Sequence, residues 1–230
     1  WGGEGRPQSA KSFFELVTGL ADNCDTADCK VDEPGNQLGG VDIRWDLPWF
    51  NASLYGQQIG EDEAGGLPAK SANQLGLQFN LNHRWFQGIA FIEYDDTSTR
   101  TSANRYNVLY NHGIYLTGYR YQGRSIGSTW DNDSSVTSIG AVGYLANGDS
   151  VEARYSNGEL NVDSLDSGVS SRHSISQLGS RFNSLSAKWQ RGFDWGELQI
   201  EGRYTDRLVD DFGRQQDKVR LAASASYRFN

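Results

Sequence analysis

Apolar and polar residues alternate with a period of two along stretches long enough to cross a bilayer as strands, and this pattern most limits what the chain can fold into. Near the C-terminus Val219, Leu221, Ala223, Ala225, Tyr227 and Phe229 alternate with Lys218, Arg220, Ser224, Ser226 and Arg228. Leu198, Ile200 and Tyr204 interleave with Glu197, Gln199, Glu201 and Arg203, and Leu185, Ala187 and Trp189 with Ser184, Ser186 and Lys188. Leu75, Leu77, Phe79 and Leu81 do the same, as do Val41, Ile43 and Trp45 against Asp42, Arg44 and Asp46. A period of two marks half-buried strands, and no comparable helical stripe is present. The fold class expected is all-β and antiparallel.

Two architectures satisfy that pattern, a soluble sandwich and a membrane barrel. The mean hydropathy of −0.62 points superficially to water, and no apolar run reaches the roughly 18 residues of a membrane helix. A barrel, however, shows lipid only at every second residue and averages out polar. The last strands read at about 9–11 residues or more, the length that spans hydrocarbon, whereas sandwich strands run nearer 5–6. Their polar faces carry Glu197, Glu201, Arg203, Arg220 and Arg228, which suit a wet lumen; on the lipid side an Arg near the midplane costs about 2–4 kcal/mol.

The connections carry direction. Short ones fall near 47–49, 83–87, 146–149 and 191–194, and long polar ones near 21–36, 60–72, 96–104, 122–135, 159–174 and 207–215. Alternating short and long connections are expected of tight periplasmic turns and extended outer loops. Keeping the alternation requires splitting 103–121 into two strands at Tyr110-Asn111-His112-Gly113, which gives about twelve strands with both chain ends on the short-turn side. Trp45, Trp49, Phe50, Trp85, Phe86, Trp189, Phe193 and Trp195 gather at the short turns, as an aromatic girdle at the headgroup boundary does. The competing reading, packing at the end of a sandwich, explains aromatics in strands but not their clustering at alternate connections.

Charge and cysteine usage set further bounds. The 230 residues carry a net charge of −8 with a pI near 4.9, so no basic stripe is available for phosphates and no nucleic-acid partner is expected. The chain has no Met and shows no signal peptide, as expected of a mature or truncated chain. Cys24 and Cys29 sit in Cys-Asp-Thr-Ala-Asp-Cys; a small disulfide loop in an oxidising compartment is the expectation, with free thiols as the alternative. A metal site fits less well, because no His lies nearby.

Three stretches resemble the Wzi-type capsule assembly proteins. They are Val-Asp-Ile-Arg-Trp-Asp-Leu-Pro at 41–48, Leu-Tyr-Gly-Gln-Gln-Ile-Gly-Glu-Asp-Glu-Ala-Gly-Gly-Leu-Pro at 54–68, and Tyr-Asn-His-Gly-Ile-Tyr-Leu-Thr-Gly-Tyr-Arg-Tyr-Gln-Gly-Arg-Ser-Ile-Gly at 110–127 with Trp-Asp-Asn-Asp-Ser at 130–134. The resemblance covers about 40–180, and the remainder matches by barrel pattern. It implies an outer-membrane barrel of about eighteen strands with a small periplasmic helical part, acting as a lectin that holds capsular polysaccharide at the surface of a Gram-negative cell. It further implies that 1–230 is the C-terminal portion of such a barrel, monomeric when complete. Barrels of this kind usually finish on an aromatic residue; here Phe229 is penultimate.

Candidate site residues follow from what a polysaccharide needs, aromatic faces for sugar rings and planar polar groups for hydroxyls or carboxylates. Tyr121, Arg124, Trp130, Asp131 and Asp133 are the candidate set, with Tyr119 and Arg120 beside them. The bland alternative makes the tyrosines part of an outer girdle and the aspartates loop solubilisers. Glu61-Asp62-Glu63 has calcium-compatible oxygens but reads better as a solvated loop tip, and Asp210 and Asp211 form a separate acidic pair. His173-Ser174-Ile175-Ser176 and Tyr155-Ser156-Asn157-Gly158 are faintly similar to the His/Ser/Asn set of an outer-membrane phospholipase. The spacing is wrong and no orienting acid is evident; His83 and His112 read as turn residues. No enzyme, cofactor or metal is expected. A porin or sugar channel is the second reading and a phospholipase-like hydrolase the third.

Overall fold

The computed structural model describes residues 9–11, 13–14, 38–64, 67–99, 109–111, 117–163, 173–209 and 215–227. β1 (Leu38–Leu47), β2 (Ala52–Ala64), β3 (Leu67–His83) and β4 (Phe86–Asp96) are followed by a small hairpin of β5 (Arg120–Tyr121) and β6 (Arg124–Ser125). Then come β7 (Ser134–Leu145), β8 (Ser150–Leu160), β9 (Ser180–Phe193), β10 (Gly196–Val209) and β11 (Gln215–Tyr227). The long strands form one nine-stranded sheet in the order β1-β2-β3-β4-β7-β8-β9-β10-β11, every neighbouring pair antiparallel.

Register converts the period-two sequence pattern into two chemically distinct faces, because residues directly opposite each other point the same way. Trp45, Leu54, Leu77, Ile92, Ile139, Tyr155, Leu185, Tyr204 and Val219 make one continuous row across the nine strands. Apart from Leu77, these side chains are between 40% (Leu54) and 70% (Val219) exposed. The adjacent row on the other face reads Arg44, Tyr55, Gly76, Glu93, Ser138, Ser156, Ser184, Thr205 and Lys218. There Tyr55 Oη donates to Glu93 Oε2 at 2.8 Å and Ser138 shares a 2.9 Å hydrogen bond with Ser156. A Cβ at Gly76 would collide with the Tyr55 ring, so glycine is what lets that ring lie across β3.

The short turns behave as the sequence indicates. Leu47 leads into a tight turn at Pro48–Phe50, and 84–85, 146–149 and 194–195 close the other hairpins at the same end. In Ala146-Asn147-Gly148-Asp149 the positive φ of Gly148 (85°) supplies the left-handed position, and Asp149 N donates to Asn147 Oδ1. Trp45, Trp49, Phe50, Trp85, Phe193 and Trp195 are all exposed at this end. Trp189 differs: it is half-buried and its Nε1 donates to Asp149 Oδ2 at 2.9 Å, tying the turn to β9.

One expectation about the opposite end is corrected, and a second falls only in part on the described residues. Residues 60–72 were expected to form a long loop, but β2 and β3 run through them, with Glu61 opposite Lys70 and Ala64 opposite Leu67. Backbone pairing does not require apolar side chains, so a polar sequence does not exclude a paired strand. Residues 103–121 were expected to add two strands. Instead β4 pairs directly with β7 from Phe86 opposite Leu145 to Asp96 opposite Ser135, leaving no room between them. The described parts of the segment between β4 and β7 (97–99, 109–111 and 117–133) add no strand to this sheet, which has nine strands among the described residues. The segment's apolar residues serve a different purpose: Leu109 and Tyr110 are buried against Ala72, with Leu38 packed beside them. Cys24, Cys29, His112, Asp210, Asp211 and Phe229 lie outside the described residues, as do the side chains of Glu61, Asp62 and Glu63.

Candidate functional site

The described parts of the connection between β4 and β7 fold back over the polar face as a lid. It is anchored on two sides. On one, Leu109 and Tyr110 sit on β3. On the other, Trp130 packs against the cluster of Val136, Leu160 and Phe182, its ring 5.3 Å from that of Phe182.

A single guanidinium organises the lid. Arg120 grips Asp131 bidentately, Nε to Oδ2 at 2.9 Å and Nη2 to Oδ1 at 2.8 Å, and it also donates to Asn111 Oδ1, Asn132 Oδ1 and the Tyr110 carbonyl. The fork geometry matches the planar carboxylate, which is what arginine offers and lysine does not. Asp131 Oδ2 further accepts from the Ser174 amide, and Asp133 Oδ2 from the Asp163 amide. Burial pushes the Asp131 carboxyl up, but the hydrogen bonds from Arg120 and Ser174 and the Arg120 charge outweigh it and hold the group below its ordinary value. Both aspartates adopt left-handed backbone, φ 64° and 48°, a conformation Asp tolerates better than most residues.

His173 is the second fastener. Its Nδ1 accepts from the amides of Ile175 and Ser176, at 3.2 and 3.1 Å. Two donors on one nitrogen fix the neutral tautomer with its proton on Nε2, which donates to Ser134 Oγ at 3.0 Å. Ser134 Oγ in turn donates to the Trp130 and Asn132 carbonyls. Burial pushes the imidazole down to about 4, against the pull of Asp131 and with the repulsion of Arg120.

Between lid and sheet lies a half-open chamber of about 610 Å³. Its floor is the row Asp42, Gln57, Gln74 and Asp95 on β1 to β4. Glu93 and Arg154 line it below, and Tyr119 and Trp130 above. Arg154 stacks on the Phe91 ring at 5.0 Å. Further along the same row come Val136, Gly158 and Phe182, the part covered by Trp130. One row therefore has an apolar half that the lid sits on and a polar half that lines the chamber, exposed at Asp42 and Gln57, half-buried at Gln74 and buried at Asp95.

The candidate residues read from the sequence separate into two groups. Tyr121, 69% exposed, and exposed Arg124 occupy the β5–β6 hairpin on the outside of the lid, and Trp130 lines the chamber. Asp131 and Asp133 are 0% exposed and hold the lid together, so their oxygens do not reach solvent. The His/Ser/Asn set does not assemble: His173 bonds to Ser134 and not to Ser174 or Ser156 among the described residues, and Nδ1 faces amides where a triad needs an acid. No group of three or more His, Cys, Asp or Glu able to hold a metal occurs among the described residues. Gln57, Gln74, Asp95 and Arg154 were not singled out from the sequence. Their only sequence signal is that each falls on the polar phase of a strand; their convergence needs the register.

The sequence pattern of the family described as "Capsule assembly protein Wzi" matches residues 1–218. The chain belongs to this family. A Klebsiella pneumoniae relative, described as an uncharacterized 55.8 kDa protein in the cps region, is 43% identical over 107 residues, which are 44% of this chain and 20% of that one. A solved structure, described as Wzi, an outer membrane protein involved in group 1 capsule assembly in Escherichia coli and a carbohydrate-binding β-barrel, matches with a TM-score of 0.66 at 23% identity. The match covers 97% of this chain and 44% of that one. The chain thus spans less than half the length of either relative, and the likeness to the solved Wzi is one of fold.

Proposed function

We propose that this chain is part of an outer-membrane barrel that binds capsular polysaccharide at the cell surface and supports capsule assembly. The observation that carries the reading is the pairing of two faces by register. An apolar row nine strands wide is a liability in water and is satisfied by acyl chains. The polar face then lines a lumen, and the lid stands at its outer mouth. Backbone bookkeeping requires that both sheet edges be paired within the bilayer, since an open edge is not tolerated in hydrocarbon. Tyr121 and Arg124, exposed on the lid, offer a ring face and a bidentate donor to an acidic polymer, with Trp130 behind them.

Cells lacking the gene are expected to shed capsule into the medium, and a Tyr121→Ala/Arg124→Ala double variant that still inserts should reproduce most of that loss. Cell-bound capsule at wild-type levels in both strains sinks the proposal. The polar face also supports a second reading, a sugar channel. Planar-bilayer recording separates the two: with the lid folded over the lumen wall, little current is expected, whereas large steady conductance favours the channel.

A further inference from the structure

We propose that the chamber under the lid is a separate subsite that takes a short, uncharged stretch or chain end of a glycan, read by the row Asp42, Gln57, Gln74 and Asp95. This rests on the polysaccharide reading above and adds a substrate class to it. The row crosses the strands, so its four side chains are spaced at the inter-strand distance of about 4.8 Å, about the width of a pyranose ring. A glycan lying across β1 to β4 therefore meets one polar group per ring edge. The two central groups are amides, each able to donate and accept, which matches hydroxyls that do both. Of the two ends, Asp42 is an exposed carboxylate that accepts from sugar hydroxyls, and Asp95 is buried beside Gln74. Tyr119 and Trp130 line the opposite side and supply the flat apolar surface that the C–H face of a sugar needs.

Charge sets the class. Among the described residues, Asp42, Glu93 and Asp95 face the chamber against one cation, Arg154, whose guanidinium lies over the Phe91 ring. A uronate carboxylate entering this space meets like charge in a low-dielectric wall, where repulsion is stronger than in bulk water. The outside of the lid is the reverse, with Arg124 exposed. The two surfaces therefore divide the polymer between them: acidic units outside, neutral rings within.

The test uses the intact protein in detergent micelles and fragments two to four sugars long from the strain's own capsule. One pool is left native, and in the other the carboxylates are chemically reduced to alcohols. Calorimetry at low salt should give at least tenfold tighter binding for the reduced pool. Gln74→Leu and Gln57→Leu, nearly the same size as the native side chains, should each weaken that binding at least fivefold. Tyr121→Ala/Arg124→Ala should change it less than twofold while still reducing binding of the whole polymer. Equal binding of the two pools, no fragment binding, or binding indifferent to Gln57→Leu and Gln74→Leu overturns the subsite. Those results leave the lid's role intact if polymer binding still depends on Tyr121 and Arg124; loss of that dependence alone sinks the surface reading.

Discussion

The sheet and the lid are held together in opposite ways. In the sheet, each position matters mainly through its phase: apolar on one face, polar on the other, with backbone ladders supplying the order. Leu185 in its row is interchangeable in kind with Ile139 or Val219. In the lid, individual groups are irreplaceable. Arg120 and Asp131 satisfy one another, and Asp131 and His173 also take backbone amides and Ser134 as partners, all in a buried space. A pattern tolerates single changes that keep its phase, whereas a buried network fails with one missing member.

The largest effect that would sharpen this contrast comes from the lid. Asp131→Ala leaves Arg120 buried without its carboxylate, and removing one partner of a buried pair costs about 3–5 kcal/mol. The loss should appear as hydrogen exchange and proteolysis in 97–133 and 173–180, with the amides of β9 and β10 unchanged; uniform loosening of the sheet breaks the distinction. Within the sheet, only a change of phase should be severe. Leu185→Arg is expected to cost about 2–4 kcal/mol in equilibrium unfolding from lipid vesicles, whereas Leu185→Ile should stay within about 1.5 kcal/mol.

A titration comes next in size. The folded value for His173, about 4, lies below the ordinary 6.5, so folding favours the neutral ring. Its contribution is therefore complete above pH 6.5, declines as pH falls, and is gone near pH 4; the full span is about 3 kcal/mol. Lid protection should decay over that window, and His173→Asn, which keeps an acceptor near Nδ1 but does not titrate, should flatten the decay. The smallest effect belongs to the Glu159–Arg181 pair. Arg181 is 71% exposed in a 2.8 Å contact, and Arg181→Ala should change stability by less than about 1 kcal/mol.

The same contrast explains what was legible in the sequence. The strands and the tight turns at 84–85, 146–149 and 194–195 follow from local periodicity and turn chemistry, and so did the aromatic end of the sheet. Residues 60–72 misled because their composition is polar while their backbone is paired. Within 103–121 the alternation suggests a strand pair, whereas Tyr110, among its described residues, is turned inward at φ 62°. Asp131 and Asp133 read from the sequence as candidate polysaccharide-binding carboxylates; only three-dimensional contacts reveal that they fasten the lid. Gln57 and Gln74 carry no signal beyond their phase, since register between β2 and β3 is a non-local property.

The placement of the sheet in a bilayer rests on one physical assignment, that the row containing Leu185 faces acyl chains and the row containing Ser184 faces water. Single-cysteine variants at Leu185, Ala187, Ser184 and Ser186, spin-labelled in the intact protein reconstituted in lipid vesicles, read it directly. Labels at 185 and 187 should be relaxed by dissolved oxygen and protected from a water-soluble nickel chelate, with the order reversed at 184 and 186. Equal access of both reagents at all four positions, or chelate access at 185 and 187, contradicts the assignment.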